Sequence, residues 1–214
     1  APVAITYDDL EFYDVSCYNT HSGEIQISNI MGGKPSATEG YYVGLEGPVD
    51  YNANLQSNKA TRYEGYDAVT KIHWFNTGKA VNSFRFDNLI WGHYTVHIKD
   101  AENCLIYRES GEIENQDTLK IVILEKISDA GACELGTVQI DAVGGVPPYK
   151  YAIDSTLVPH PGAHTFPNDL DLNAYINGLK WQDSDTFRVS PATWIAYVKD
   201  AKGCIVGWST FANG

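Results

Sequence analysis

Hydrophobic and polar positions alternate in short runs along most of this chain, and turn residues separate the runs. Gly23-Glu24-Ile25-Gln26-Ile27-Ser28 places Ile25 and Ile27 on one face. Gly136-Thr137-Val138-Gln139-Ile140 does the same with Val138 and Ile140, and Tyr149, Tyr151 and Ile153 alternate in a further run. Val3 to Tyr7, Leu10 to Phe12 and Leu119 to Leu124 read as additional strands. Few stretches show a 3.6-residue period; Leu170 to Leu179 is the one segment that reads as a short helix or turn. Many short β-branched and aromatic runs between Gly, Pro, Asn and Asp predict an all-β fold.

The pattern occurs twice. Lys99-Asp100-Ala101-Glu102-Asn103-Cys104 follows the run Tyr94 to Ile98 and precedes Leu105-Ile106-Tyr107. Lys199-Asp200-Ala201-Lys202-Gly203-Cys204 follows Trp194 to Val198 and precedes Ile205 to Trp208. Asp suits the first position of a type I turn, because its carboxylate accepts from amides further along. Asn103 and Gly203 are the residue types that tolerate positive φ, so each is expected to close a hairpin there. Upstream, Gly32-Gly33-Lys34-Pro35 matches Gly144-Gly145-Val146-Pro147 as a turn. Shared motifs in shared order mark a duplicated unit. Two domains follow, residues 1–114 and 115–214, joined in the polar stretch Glu112 to Thr118.

Composition sharpens this outline. The 214 residues include 14 Tyr and 5 Trp, ample for two cores. A formal charge of −12 disfavours nucleic acid and anionic lipid as partners. No apolar run reaches the length of a membrane span, and no signal peptide is visible. The expected origin is a mature or excised fragment of a longer chain.

Four cysteines fall two per repeat at matching places, which points to disulfides and an oxidising compartment. Four cysteines allow three pairings. The expected one is Cys17–Cys104 and Cys133–Cys204, because each pair frames its own copy.

The motif order resembles the SprB-type repeat of very large secreted adhesins of gliding bacteria. The residues that carry the resemblance are Gly144-Gly145-Val146-Pro147-Pro148-Tyr149-Lys150-Tyr151 and Lys199 to Cys204 in copy two, with Gly92 to Ala101 in copy one. It covers about half the chain. Copy one lacks the second Pro and has Asn103 for Gly; copy two has Ala192-Thr193-Trp194 where Gly-x-Tyr is expected. The resemblance implies tandem Ig-like antiparallel β-sandwiches, bacterial cell-surface display outside the cell, and a role in adhesion or gliding motility among neighbouring domains of a longer chain. It supplies no catalytic residues.

Candidate chemistry is sparse. His73, His93, His97, His160 and His164 read as surface histidines. Pro161 and Gly162 break any helix carrying His160 and His164, and His97 alternates outward beside Val96 and Ile98. No zinc-protease or serine-hydrolase motif is present, so an enzyme is not expected. Asp169-Leu170-Asp171-Leu172-Asn173 has the odd-position oxygens of a calcium loop. It lacks Gly at position six, and Lys180 stands at position twelve where an acid is needed. An acidic solvated loop is the expectation, with Asp169, Asp171 and Asn173 the ligands if Ca²⁺ binds; no other cofactor is expected.

The copies differ most in the middle. Copy one carries an insert, about residues 40–83, with Tyr41, Tyr42, Tyr51, Tyr63, Tyr66, Trp74 and Phe75. Variable connections on a repeated scaffold are where partner-specific features lie. Tyr63, Tyr66 and Trp74 are therefore the candidate ligand contacts, for an extracellular surface or a glycan. The alternative to an adhesin or stalk is a pair of carbohydrate-binding modules that use these aromatics.

Overall fold

The computed structural model describes residues 3–48, 62–103, 105–130, 134–155 and 176–213. The chain divides into two compact units, Ala1–Gln116 and Asp117–Gly214, within the polar stretch at 112–118. Each unit is built from antiparallel sheets.

In the first unit, β1 (Asp9–Tyr13), β2 (Gly23–Ser28) and β6 (Phe84–Leu89) form one sheet in the order β1-β2-β6. The other sheet has the order β4-β5-β3-β7-β8. Its members are β3 (Tyr42–Glu46), β4 (Tyr63–Asp67), β5 (Ile72–Asn76), β7 (Gly92–Lys99) and β8 (Leu105–Ile113). Ile25 and Ile27 of β2 meet Phe84 and Phe86 of β6, and across from them Val43, Leu45, Phe75, Val96 and Ile98 complete one core. Both predicted inward isoleucines are fully buried.

Among the described residues, the second unit repeats the plan with fewer strands. β12 (Thr186–Val189), β10 (Gly136–Val143) and β9 (Lys120–Ser128) form one sheet; β11 (Lys150–Asp154), β13 (Ala192–Lys199) and β14 (Ile205–Asn213) form the other. Val138 and Ile140 are buried as expected, in a core shared with Phe187, Val189, Tyr151, Ala196 and Val198. The register Lys150↔Lys199 in β11–β13 matches Tyr42↔Lys99 in β3–β7, so the two scaffolds can be compared residue by residue.

Two local expectations need correction. Val3 to Tyr7 does not form a strand; only Thr6 bridges to Met31. The segment instead passes beside the Gly-Gly turn, where Val3 accepts from the Gly33 amide at 2.9 Å. In the stretch 170–179, one helical turn at 176–178 is present, and the remainder up to 175 lies outside the described residues.

The hairpin motifs turn out as expected. Asn103 has φ 59° and Gly203 φ 87°. Asp100 Oδ1 accepts from the Glu102 amide and Asp200 Oδ1 from the Lys202 amide, at 3.0 and 2.9 Å.

The structure adds a contact between motifs distant in sequence. Asp100 Oδ2 accepts from the Lys34 amide, and the Ala101 amide donates to the Lys34 carbonyl. Asp200 Oδ2 accepts from the Val146 amide, and the Ala201 amide donates to the Val146 carbonyl. In both units the carboxylate of the Lys-Asp-Ala hairpin thus clasps the Gly-Gly turn. The glycines make room for this. A Cβ at Gly33 would lie 3.1 Å from Asp100 Oδ2, and one at Gly145 2.7 Å from Asp200 Oδ2, both at positive φ. Tyr41 and Tyr149 complete the corner, each donating its hydroxyl to the carbonyl of the first glycine.

Cys17 and Cys204 are each disulfide-bonded. Cys104 and Cys133 lie outside the described residues, so the expected pairing stays a proposal.

Candidate functional site

The expected insert, 40–83, is corrected in part: β3 belongs to the scaffold shared with β11, and the hairpin β4–β5 joins its free edge. Among the described residues, the counterpart of this sheet in the second unit has two strands fewer. Trp74 sits on the outer face, facing Gly44 of β3 on one side and Gly65 of β4 on the other. A Cβ at Gly44 would lie 2.9 Å from the indole, so glycine lets the ring lie down on the sheet. Gly65 stands next to a register shift in β4 and has φ 129°, with open space around it. A bulge of this kind bends an edge strand and re-aims its side chains.

Beside Trp74 a groove of about 340 Å³ opens, lined among others by Tyr42, Glu64, Tyr66, Lys99 and Asn103. The Lys99 ammonium lies 4.1 Å from the Trp74 ring centre and 5.7 Å from that of Tyr42. Such a contact at an exposed site is worth roughly 0.5–1 kcal/mol. The Tyr42 hydroxyl donates to the Glu39 carboxylate, a bond that raises the tyrosine pKa. Glu64 accepts from the Asn76 amide nitrogen. Asp67 closes the β4–β5 turn; the Thr70 hydroxyl and the Val69 and Thr70 amides hold its carboxyl below the usual range.

The three predicted ligand contacts separate. Trp74 lines the groove; Tyr66 borders it but is paired with His73 and sets its ring against that imidazole, on the same face as Tyr63. Tyr63 packs on the core side, against Phe75 with ring centres 5.1 Å apart, and its hydroxyl reaches His73 Nδ1 at 3.0 Å. Its role is to extend the core under the added hairpin. Tyr51 lies outside the described residues, as do Asp169, Asp171 and Asn173. Among the described residues no group of three or more His, Cys, Asp and Glu is placed to hold a metal.

Two histidines contradict the surface reading. His97 does point to the outer face, yet it is 3% exposed, because Trp74 and Glu46 cover that face. His73 is equally buried but faces the core side, beneath Tyr63 and Tyr66. Desolvation lowers the pKa of both; for His97 the Glu46 carboxylate at 3.3 Å opposes the shift and nearby Arg108 adds to it. A folded value depressed below the usual 6.5 means that the unfolded chain binds protons first. The contribution is complete above pH 6.5 and shrinks as pH falls through it. Urea unfolding should therefore show the protein less stable at about pH 5 than at about pH 8, and His97→Gln should flatten the difference. A variant with the parent's pH slope would exclude His97 as a source.

One equivalence escaped the sequence because the two middles differ in length. Gln182 bridges Tyr151 of β11 as Phe75 pairs with the matching Val43 of β3. The preceding residues, Trp181 and Trp74, are therefore counterparts. Lys199 lies 4.4 Å from the Trp181 ring centre, as Lys99 does over Trp74. The motif lysine thus packs on a tryptophan in each unit. The surroundings differ: Trp181 belongs to an apolar cluster with Leu179, Ala152, Ile195 and Tyr197, and its indole N–H donates to the Ile176 carbonyl. At the Tyr197 position the first unit has His97, and at the Ile195 position Thr95.

No helix among the described residues is long and apolar enough to cross a membrane. No family model matches the chain, and no curated protein sequence matches it. Among solved structures, the chain is similar to the C-terminal 282-residue fragment of intimin in complex with the translocated intimin receptor intimin-binding domain. The identity is 12% and the TM-score 0.39, with 97% of this chain and 64% of that chain covered. The chain therefore spans less than two thirds of that fragment, and a likeness at this level carries no argument about function.

Proposed function

We propose that this chain is a non-enzymatic, extracellular segment of a large bacterial surface adhesin, acting in adhesion or gliding. In this reading it consists of two divergent, Ig-like SprB-type repeats, of which the first binds and the second spaces. The observation that carries the reading is the β4–β5 hairpin. It widens one sheet of the first unit and frames a groove around Trp74. The corresponding Trp181 is packed into an apolar cluster. The repeated clasps of Asp100 and Asp200 account for the shared motifs as scaffold. Among the described residues the second scaffold carries no such hairpin, which suits a spacer, and an added hairpin with an aromatic groove suits a contact surface.

The test uses the full chain with matched substitutions. Beads coated with the 214-residue protein should adhere to the host or substratum surface. Trp74→Ala should abolish adhesion and Trp181→Ala should leave it near the parent level. Both substitutions remove a ring under a motif lysine, so each controls for the packing loss in the other. If Trp181→Ala abolishes adhesion and Trp74→Ala does not, binding resides in the second unit. If a longer natural chain adheres while this one does not, both repeats are stalk.

A further inference from the structure

We infer that the groove beside Trp74 is a binding site for a neutral saccharide, a proposal that rests on the first unit being the one that binds. Its lining is aromatic and polar rather than aliphatic. Trp74 and Tyr42 present rings, Lys99 and Asn103 carry donors, and Glu64 is an acceptor held in place by the Asn76 amide. A sugar ring has this same pairing, with an apolar C–H face and a rim of hydroxyls that donate and accept. Ala101 is the one aliphatic side chain in this lining.

Size points the same way. About 340 Å³ lies at the small end of small-molecule sites. Such a hollow takes one or two rings, whereas a stable protein partner needs a far broader patch. Charge selects among saccharides. Glu64 and Asp67 outnumber Lys99 around the groove, on a chain of formal charge −12. A sialylated or sulfated sugar would meet repulsion there.

Lys99 marks the seat of the ring. Its ammonium lies 4.1 Å from the Trp74 ring centre, where a bound C–H face would stack. The side chain is long and flexible, so it can swing aside and donate to a hydroxyl. Gly65, the strand partner of Trp74, adds no side chain there, and the space at its Cβ position is open.

The experiment titrates the intact 214-residue protein with neutral hexose and N-acetylhexosamine oligosaccharides. Sialylated and sulfated oligosaccharides of equal length run in parallel. Calorimetry reads affinity, and the indole N–H resonance of Trp74 reads location. Neutral saccharides should bind and shift that resonance, and the anionic ones should not. Trp74→Ala should weaken binding by about tenfold or more, as loss of a central aromatic anchor does. Because that variant also removes packing, Asn103→Gly serves beside it. Glycine keeps the positive φ of this position and deletes only the amide, so affinity should fall about threefold with an unchanged melting temperature.

Preferential binding of anionic saccharides overturns the inference, as does neutral binding that neither variant weakens. Suppose no oligosaccharide binds while Trp74→Ala still abolishes adhesion. The saccharide inference then fails, a protein ligand takes its place, and the adhesin reading stands. Adhesion that survives Trp74→Ala removes the adhesin reading for this unit as well.

Discussion

Reduction of the disulfides should lower the stability of each unit by about 4–5 kcal/mol, the chain-entropy value for loops of this length. Cys17 and Cys204 are both disulfide-bonded. The proposed partners are Cys104 and Cys133, so that each bridge closes within one unit and spans nearly all of it. The described end of each proposed bridge is well fixed. The Cys17 amide donates to the Thr20 hydroxyl, which donates back to the Cys17 carbonyl. The Cys204 amide donates to Asp200, and its side chain packs against the second core. A bridge removes conformations from the unfolded chain, and the entropic stabilisation is realised in full where the native ends need not move to form it. Urea unfolding with and without a thiol reductant measures the loss. Non-reducing peptide mapping identifies the pairs, and a bridge spanning the Gln116/Asp117 boundary would refute the assignment.

Asp200→Ala should destabilise the second unit by about 3 kcal/mol, since several amides lose a charged acceptor at once. Asp200 is 6% exposed and accepts from Val146, Lys202 and Cys204 at 3.0, 2.9 and 2.9 Å. Alanine leaves these donors without it and loosens the hold on the Gly-Gly turn. Water reaches the Lys202 amide on the exposed hairpin more readily than that of Val146, so the three losses are unequal. Asp200→Asn retains one acceptor and should cost about half as much. Asp100→Ala should act likewise on the first unit, where Asp100 is 3% exposed. A midpoint for Asp200→Ala within about 0.5 kcal/mol of the parent would show that the clasp contributes no more than an ordinary surface residue.

The strands that carry the repeated motifs, the paired hairpins and the positive φ of Asn103 and Gly203 were legible in the sequence, because each follows from chemistry within a few neighbouring residues. A period of two sets which face Ile25, Ile27, Val138 and Ile140 occupy, and one buried face then fixes the register. Which motifs touch is another matter. Nothing in the spacing of Gly33 and Asp100 says that they meet, since a chain reversal through many intervening residues decides it. The match of Trp74 with Trp181 was hidden for the same reason, because strand pairing and not residue count aligns them. Burial of His97 also belongs to the tertiary structure. Alternation put it on the outer face correctly, but only the neighbouring Trp74 and Glu46 decide whether that face meets water. Tyr63 and Trp74 looked alike as aromatics of one insert. Their separation, one into the core and one onto the groove, came from the face each takes on its strand and from Gly44 beside Trp74, which leaves room for a ring to lie flat.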